Sequence, residues 1–276
     1  MTKILRFTVE DIRFPTSKDL TGSDAIHTDP DYSATYVTAF TDDSNLKGYG
    51  IAFTIGKGND IVAECIKYFF PTFENMNLED IENDIGKLWY KCVDHSQLRW
   101  LGPEKGAVHM AVAAIFNCLW DLIAKKNKKP LWKFVAESDP EKIVSWLTFK
   151  YIEDVLTPDQ ALKILKDSQN DKKVRIDKIL KEGYPSYTTA AGWLGYSDEK
   201  IVKLCKKYIA MGWKHFKVKV GLDLEADVKR LELIRKTIGD DCYIMVDANQ
   251  QWSVEQSIKH INAYKKFNLL FVEEPT

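Results

Sequence analysis

The stretch "WKHFKVKVGLDLEAD", residues 213–227, decides how the second half of the chain folds. In it Lys217 and Lys219 alternate with Phe216, Val218 and Val220. Side chains on a strand alternate between faces, so both ammonium groups point one way and the apolar groups the other. Gly221 then breaks the run, and "LEADVKRLELIRKTIG" (224–239) continues with helical spacing. The stretch therefore reads as strand, turn and helix, with two cations on a strand otherwise suited to a core.

Outward from it the same unit recurs. "YPSYTTAA" (184–191), "YIMVDAN" (243–249) and "LLFVEEPT" (269–276) read as strands, and "SDEKIVKLCKKYIAMG" (197–212) and "SVEQSIKHINAYKKF" (253–267) as helices. Ser253 followed by Gln256 forms a capping box, whereas Lys200 breaks the equivalent after Ser197. Such alternation predicts a parallel sheet with right-handed crossovers, about four strands of it. The polar residues fall at the strands' C-terminal ends, where a (β/α) barrel places its catalytic groups.

The first half has a different rhythm. "ILRFTVEDIRF" (4–14), "YSATYVTAFTD" (32–42) and "KGYGIAFTIG" (47–56) alternate with period two, and "DSNLKG" suits a hairpin turn, which predicts a three-stranded antiparallel meander. Between its first two strands lies the polar loop "PTSKDLTGSDAIHTDPD" (15–31), longer than the ~12–15 residues usual for a structureless connection. Helices follow. The clearest lies within 102–130, with Val108, Val112, Ile115, Leu119 and Leu122 on one face and His109 read as a packed helix residue. A charged helix is predicted from about Pro158 to Lys181.

Composition narrows the function classes. With 276 residues, 45% hydrophobic, 29% charged and a net charge of −1, the chain is neither disordered nor built to coat nucleic acid. No apolar stretch approaches the ~20 residues of a membrane span and no signal core opens the chain, so a cytosolic location is the default and a mitochondrial one stays open. Five widely spaced cysteines without a Cys-x-x-Cys pair read as reduced, structural thiols.

Three strand ends carry charge. Lys217 and Lys219 share one face, Asp247 and Asn249 share another, and Glu273 and Glu274 close the last run, each set one βα unit from the next. Alone, a Lys-x-Lys strand end is more often a solvated edge. The joint occurrence at successive strand ends points instead to a site. Carboxylates from adjacent strands offer the hard oxygens that Mg2+ prefers. A second ammonium and a divalent ion both disfavour a protonated lysine, which suits it to act as a base. The grouping suggests proton abstraction next to a carboxylate, with the resulting anion stabilised by the ion.

These motifs resemble the enolase superfamily in its mandelate-racemase-like branch, and within it the L-fuconate dehydratases. "FKVKVG", "VDANQQW" and "VEEPT" carry the branch, and "GSDA…DPDYS" with "GWLGYSDEK" carries the finer match. That such enzymes use a lysine or histidine base with Mg2+ is established for the superfamily. The resemblance implies an N-terminal α+β capping domain over 1–150 and the first half of a modified TIM barrel over 151–276. It implies Lys219 as the base, Lys217 on the substrate carboxylate, Asp247 and Glu273 as Mg2+ ligands, and Asn249 facing the substrate. Gly22, Ser23, Asp24 and Tyr32 match a loop that closes over sugar-acid substrates. The implied reaction is dehydration of a six-carbon sugar acid such as L-fuconate to its 2-keto-3-deoxy acid, in a possible homo-oligomer with no nucleic-acid or membrane partner.

The resemblance also implies a third acidic ligand and a catalytic histidine beyond Thr276, and none of His27, His95, His109, His215 or His260 stands in a matching position. The expectation is a truncated chain that does not turn over alone. The alternative is a non-catalytic relative acting as a binding or regulatory protein.

Overall fold

The computed structural model describes residues 2–276, which divide into two compact units. The first comprises the chain up to Arg13 together with Ser33–Glu182, and the second Phe14–Tyr32 with Gly183–Thr276. The division thus falls after Glu182 rather than after residue 150, and the long loop leaves the first unit altogether.

In the first unit β1 (Ile4–Phe14), β2 (Tyr32–Thr41) and β3 (Lys47–Thr54) form the meander read from the sequence, in the order β1-β2-β3. Alternate residues of β2 and β3 are buried, so one face is core and the other open, as period two dictates. The helix α3 (Ala107–Lys126) packs on it, and α1 (Asn59–Phe73) and α2 (Leu78–Val93) pack on α3. α3 starts only after Pro103, and it lies so close to β3 that a Cβ at Gly50 would run into the backbone of Ala114 and Cys118.

α3 corrects one expectation: it is long and apolar enough to cross a membrane by length and composition. Its apolarity comes from packing on several sides, with Ile115, Cys118, Leu119 and Leu122 fully buried. Beyond it come α4 (Leu131–Glu137), α5 (Pro140–Trp146), α6 (Pro158–Asp167) and α7 (Lys172–Glu182). The single charged helix predicted over 158–181 is therefore two, broken in the polar "SQND" turn, and Thr157 with Gln160 supplies a capping box at the start of α6. Lys166 of α6 pairs with Glu141 of α5 at 2.6 Å, which ties this segment to the first unit.

The second unit is the βα series. α8 (Asp198–Ala210), β4 (His215–Lys219), α9 (Leu224–Ile238), β5 (Tyr243–Asp247), α10 (Val254–Tyr264) and β6 (Leu269–Glu273) alternate, and the strands pair in parallel in the order β4-β5-β6. The predicted strand over 184–191 is reduced to one parallel bridge, Thr188 to Phe216, with the Pro185 segment before it irregular. Phe216, Val218, Ile244 and Val246 form the core beneath the helices. Ser253 and Gln256 close a full capping box on α10, and Ser197 caps α8 through the Lys200 amide alone. All five cysteines are free thiols, four of them buried.

On α10, the His260 ring packs on Trp252 at a tilt of 42°, with centroids 4.4 Å apart. Burial disfavours its charged form and holds the imidazole below its ordinary value, with the nearby Asp227 carboxylate opposing in part. A base whose folded value is depressed contributes stability that is present above about pH 6.5 and lost as the pH falls through the folded value. Melting at pH 7.5 and 5.5 should therefore show a smaller acid-induced drop for His260→Gln than for the unaltered chain; equal drops would refute this coupling.

Candidate active site

The parallel register brings the strand ends into line. Lys219 pairs with Asp247, and Asp247 with Glu273, across the three strands. Each is the last residue of its strand, so the charged groups emerge together where the strands stop.

Lys217 and Lys219 share the face predicted for them. Lys219 Nζ donates to Asp247 Oδ2 and to Asn249 Oδ1, both at 2.7 Å. Lys217 Nζ lies 2.7 Å from Glu273 Oε2 and 3.1 Å from Asp247 Oδ2, between the two carboxylates. Two ammonium groups thus balance two carboxylates, and Lys217, Lys219 and Asp247 are buried while Glu273 is half-exposed. Asn249 has left the strand with φ +50°, a turn that lets its amide N–H donate back to Asp247 Oδ1 at 3.0 Å.

The electrostatics follow from this packing. Burial alone would push the Asp247 carboxyl up, but the hydrogen bond and charge of Lys219 outweigh it and hold the group below the usual carboxylate value. Burial alone would lower Lys217, yet bonds to Glu273, Tyr187 and Asp247 raise it above the ordinary lysine value.

Two aromatic rings missed in the sequence face the lysines. The Tyr187 ring lies 4.8 Å from Lys217 Nζ, and the Trp193 ring 5.9 Å from Lys219 Nζ. Only their place in "YTTAAGWLGYSDEK", next to the lysine strand, could have pointed to them.

Among the described residues no set of three or more His, Cys, Asp or Glu side chains forms a metal cage. The donor chemistry nevertheless suits Mg2+, because two carboxylate oxygens from adjacent strands already converge on one cation, the Lys217 ammonium. Mg2+ is commonly held by one or two protein carboxylates with water and substrate completing its octahedron. No histidine among the described residues is hydrogen-bonded to this cluster; His215 stacks on Tyr243 and His27 sits on Asp24.

The long loop belongs to the same unit. Leu194 N–H donates to Ser23 O at 3.0 Å, Gly195 N–H to Ser23 Oγ at 2.9 Å, and Thr21 Oγ1 meets Tyr196 Oη at 2.7 Å. Asp24 is turned inward, its Oδ1 accepting the amides of Ile26 and His27. Ser23 and Asp24 thus hold the loop together and docked. Gly22 adopts φ +87° against the Tyr32 ring, where a Cβ would collide. Burial, then the neighbouring Asp24 and Tyr196, raise the Tyr32 phenol above its usual value.

Residues 200–276 match the family model described as enolase C-terminal domain-like. The L-galactonate dehydratase of Hypocrea jecorina is 44% identical over 276 residues, covering 99% of this chain and 61% of that protein. The crystal structure of human mitochondrial enolase superfamily member 1 superposes with a TM-score of 0.95 at 46% identity, covering 99% of this chain and 62% of that one. A racemase of Streptomyces coelicolor solved with bound magnesium superposes at 0.69 and 25% identity, covering 99% and 62%. The chain spans about three fifths of the length of the curated relatives it matches.

Gly22→Ala should undock the loop, at a cost of about 1–2 kcal/mol from the left-handed backbone plus the clash with Tyr32. Limited proteolysis between residues 14 and 32 should quicken, whereas Gly212→Ala, with φ +89° and open space around it, should leave the cutting rate unchanged. Equal protection of the loop in both variants would contradict the docking.

Proposed function

We propose, from the premise that residues 200–276 belong to the enolase C-terminal domain-like family, that the strand-end cluster serves Mg2+-dependent dehydration of a six-carbon sugar acid. The observation that carries the reading is the line of Lys219, Asp247 and Glu273 in register, with Lys217 between the two carboxylates. The three-stranded parallel sheet is read as the beginning of a barrel. Asp247 and Glu273 would hold the metal ion, which when bound supplies positive charge to the substrate carboxylate and so acidifies the neighbouring C–H.

The chain's own groups supply the proton abstraction. Lys219, on neutral nitrogen, takes the proton from C2; the electron pair left behind forms the C2=C3 bond as the C3–O bond breaks, and the hydroxyl leaves as water with a proton taken from solvent. The enol product tautomerises to the 2-keto-3-deoxy acid. Lys217 orients the substrate carboxylate and adds positive charge to the place where it binds. Asn249 accepts a second hydrogen bond from Lys219 Nζ beside that of Asp247 and so helps to fix it. The loop with Gly22, Ser23, Asp24 and Tyr32 excludes water and reads the sugar.

The substrate proposed is L-fuconate or L-galactonate. L-Fuconate is L-galactonate without its 6-hydroxyl, so the two present the same stereochemistry at C2 to C5 and the same reacting atoms. The resemblance to fuconate dehydratases and the identity to a fungal L-galactonate dehydratase therefore support one reading of the reacting end. The name of the human relative supports a mitochondrial location over the cytosolic default.

Lys219→Ala should lower exchange of the substrate's C2 proton in D2O by about 10²–10⁴-fold while Mg2+ binding, followed by calorimetry, persists. Asp247→Asn should lose Mg2+ binding as well. Retained C2 exchange in Lys219→Ala would refute the base, and a chain that binds the acids but neither Mg2+ nor exchanges C2 would favour the non-catalytic binding protein.

A further inference from the structure

A buried ion pair behind the site has no part in the chemistry just described. Arg230, on the second turn of α9, is nine-tenths buried, and its Nη2 donates to the backbone carbonyl of Lys219 and to Asp227 Oδ1, the latter at 3.3 Å. Its Nη1 reaches the carbonyls of Trp193 at 3.4 Å and Leu194 at 3.3 Å. Asp227 is buried too, and its Oδ2 accepts the Gly221 amide at 2.8 Å and the Tyr264 hydroxyl at 3.1 Å.

A pair this deep is costly to desolvate, and apolar residues of similar size would fill the same space as well or better. Its carbonyl partners give it a specific use. Lys219 carries the base, Trp193 sets its ring over the base nitrogen, and Leu194 is hydrogen-bonded through its amide to Ser23 of the loop. Gly192, just before them, accepts the Lys219 amide at 2.8 Å, and a Cβ there would run into Lys217 O. Three carbonyls from two separate segments demand a planar fork of several fixed donors; an ammonium is a compact point charge that cannot span them together.

We propose that Arg230, held by Asp227, is a positioning residue that locks the Lys219 strand end and the Trp193–Leu194 segment into one frame, so that docking of the 14–32 loop aligns the base. The inference rests on the reading of Lys219 as the base. The loop and the base touch this frame at different points, Ser23 through Leu194 and Lys219 through its own carbonyl, and Arg230 is the side chain bonded to both.

Arg230→Lys keeps the charge beside Asp227 and loses the fork. In the 276-residue chain with Mg2+ and L-galactonate or L-fuconate, kcat for C2-proton exchange should fall about 10- to 100-fold with the Mg2+ dissociation constant within about twofold. In the same variant the amides of Leu194 and Gly195 should exchange faster with solvent, and those of α10 should not. Thr21→Val, which removes only the loop's bond to Tyr196, should lower kcat and not merely raise KM, and this arm stands even if Arg230→Lys does not fold. The proposal is overturned if Arg230→Lys retains wild-type kcat and amide protection, or if Thr21→Val changes KM alone. Absence of C2 exchange in the unaltered chain removes the premise; faster exchange of the Leu194 and Gly195 amides in Arg230→Lys would then show that the clamp exists and that the base was misread.

Discussion

Everything at the strand ends depends on keeping two ammonium groups and two carboxylates together in a largely buried place. Lys217, Lys219, Asp247 and Glu273 sum to no net charge, and each buried member touches an opposite one. Removing one partner would strand a charge at a cost of about 3–5 kcal/mol, so the four groups hold one another in place. The parallel register is what makes this possible. A slip of one residue would turn Asp247 into the helix layer and an apolar neighbour toward the lysines, because side chains alternate with period two. The packing of Phe216, Val218, Ile244 and Val246 beneath the helices forbids that slip. The core therefore fixes the site by fixing which face each strand shows.

The loop over residues 14–32 obeys a similar economy of polar groups. A segment this long needs partners for its amides and carbonyls. Ser17 bonds Asp31, Asp24 caps its own turn, and Ser23 takes two amides of the 193–195 segment. Lys200 adds a bond to Asp19 O at 3.0 Å while lying on the Tyr196 ring. With its side chains so engaged, the loop buries Gly22, Ser23 and Asp24 against its own unit. This explains why the loop joins the second unit although its flanking strands belong to the first.

The charged face was legible in the sequence because strand periodicity is rigid. Two lysines at i and i+2 must point together, and Asp247 and Glu273 stand at equivalent ends of repeating units. The meander was legible for the same reason. What escaped depends on tertiary packing. Pro185 and the irregular run after Gly183 leave only a bridge where a strand was expected, since a short apolar run carries no count of its ladder bonds. The helix over 158–181 breaks at a turn that charge patterning does not reveal, and α3 is apolar over more than one face because neighbours cover it from several directions. Tyr187, Trp193 and Arg230 were invisible because an aromatic ring or an arginine in a helix has no periodic signature of function. Their roles come from where the strand end and the crossing segment meet.

The neutral balance at the site also says what it is suited to receive. A divalent ion sharing Asp247 and Glu273 would compete directly with the Lys217 ammonium, which already bridges those oxygens, and would leave the cluster with a surplus of two positive charges. Such a surplus in a poorly solvated place favours the binding of an anion. On the proposed reading a carboxylate substrate would supply it, where Lys217, freed from the carboxylates but still against Tyr187, can meet it. Asp247 would then be shared between the ion and Lys219, while Asn249, a neutral acceptor, still holds the Lys219 nitrogen in place. One added cation would thus turn four side chains that stabilise one another in a closed set into a receptor for a carboxylate.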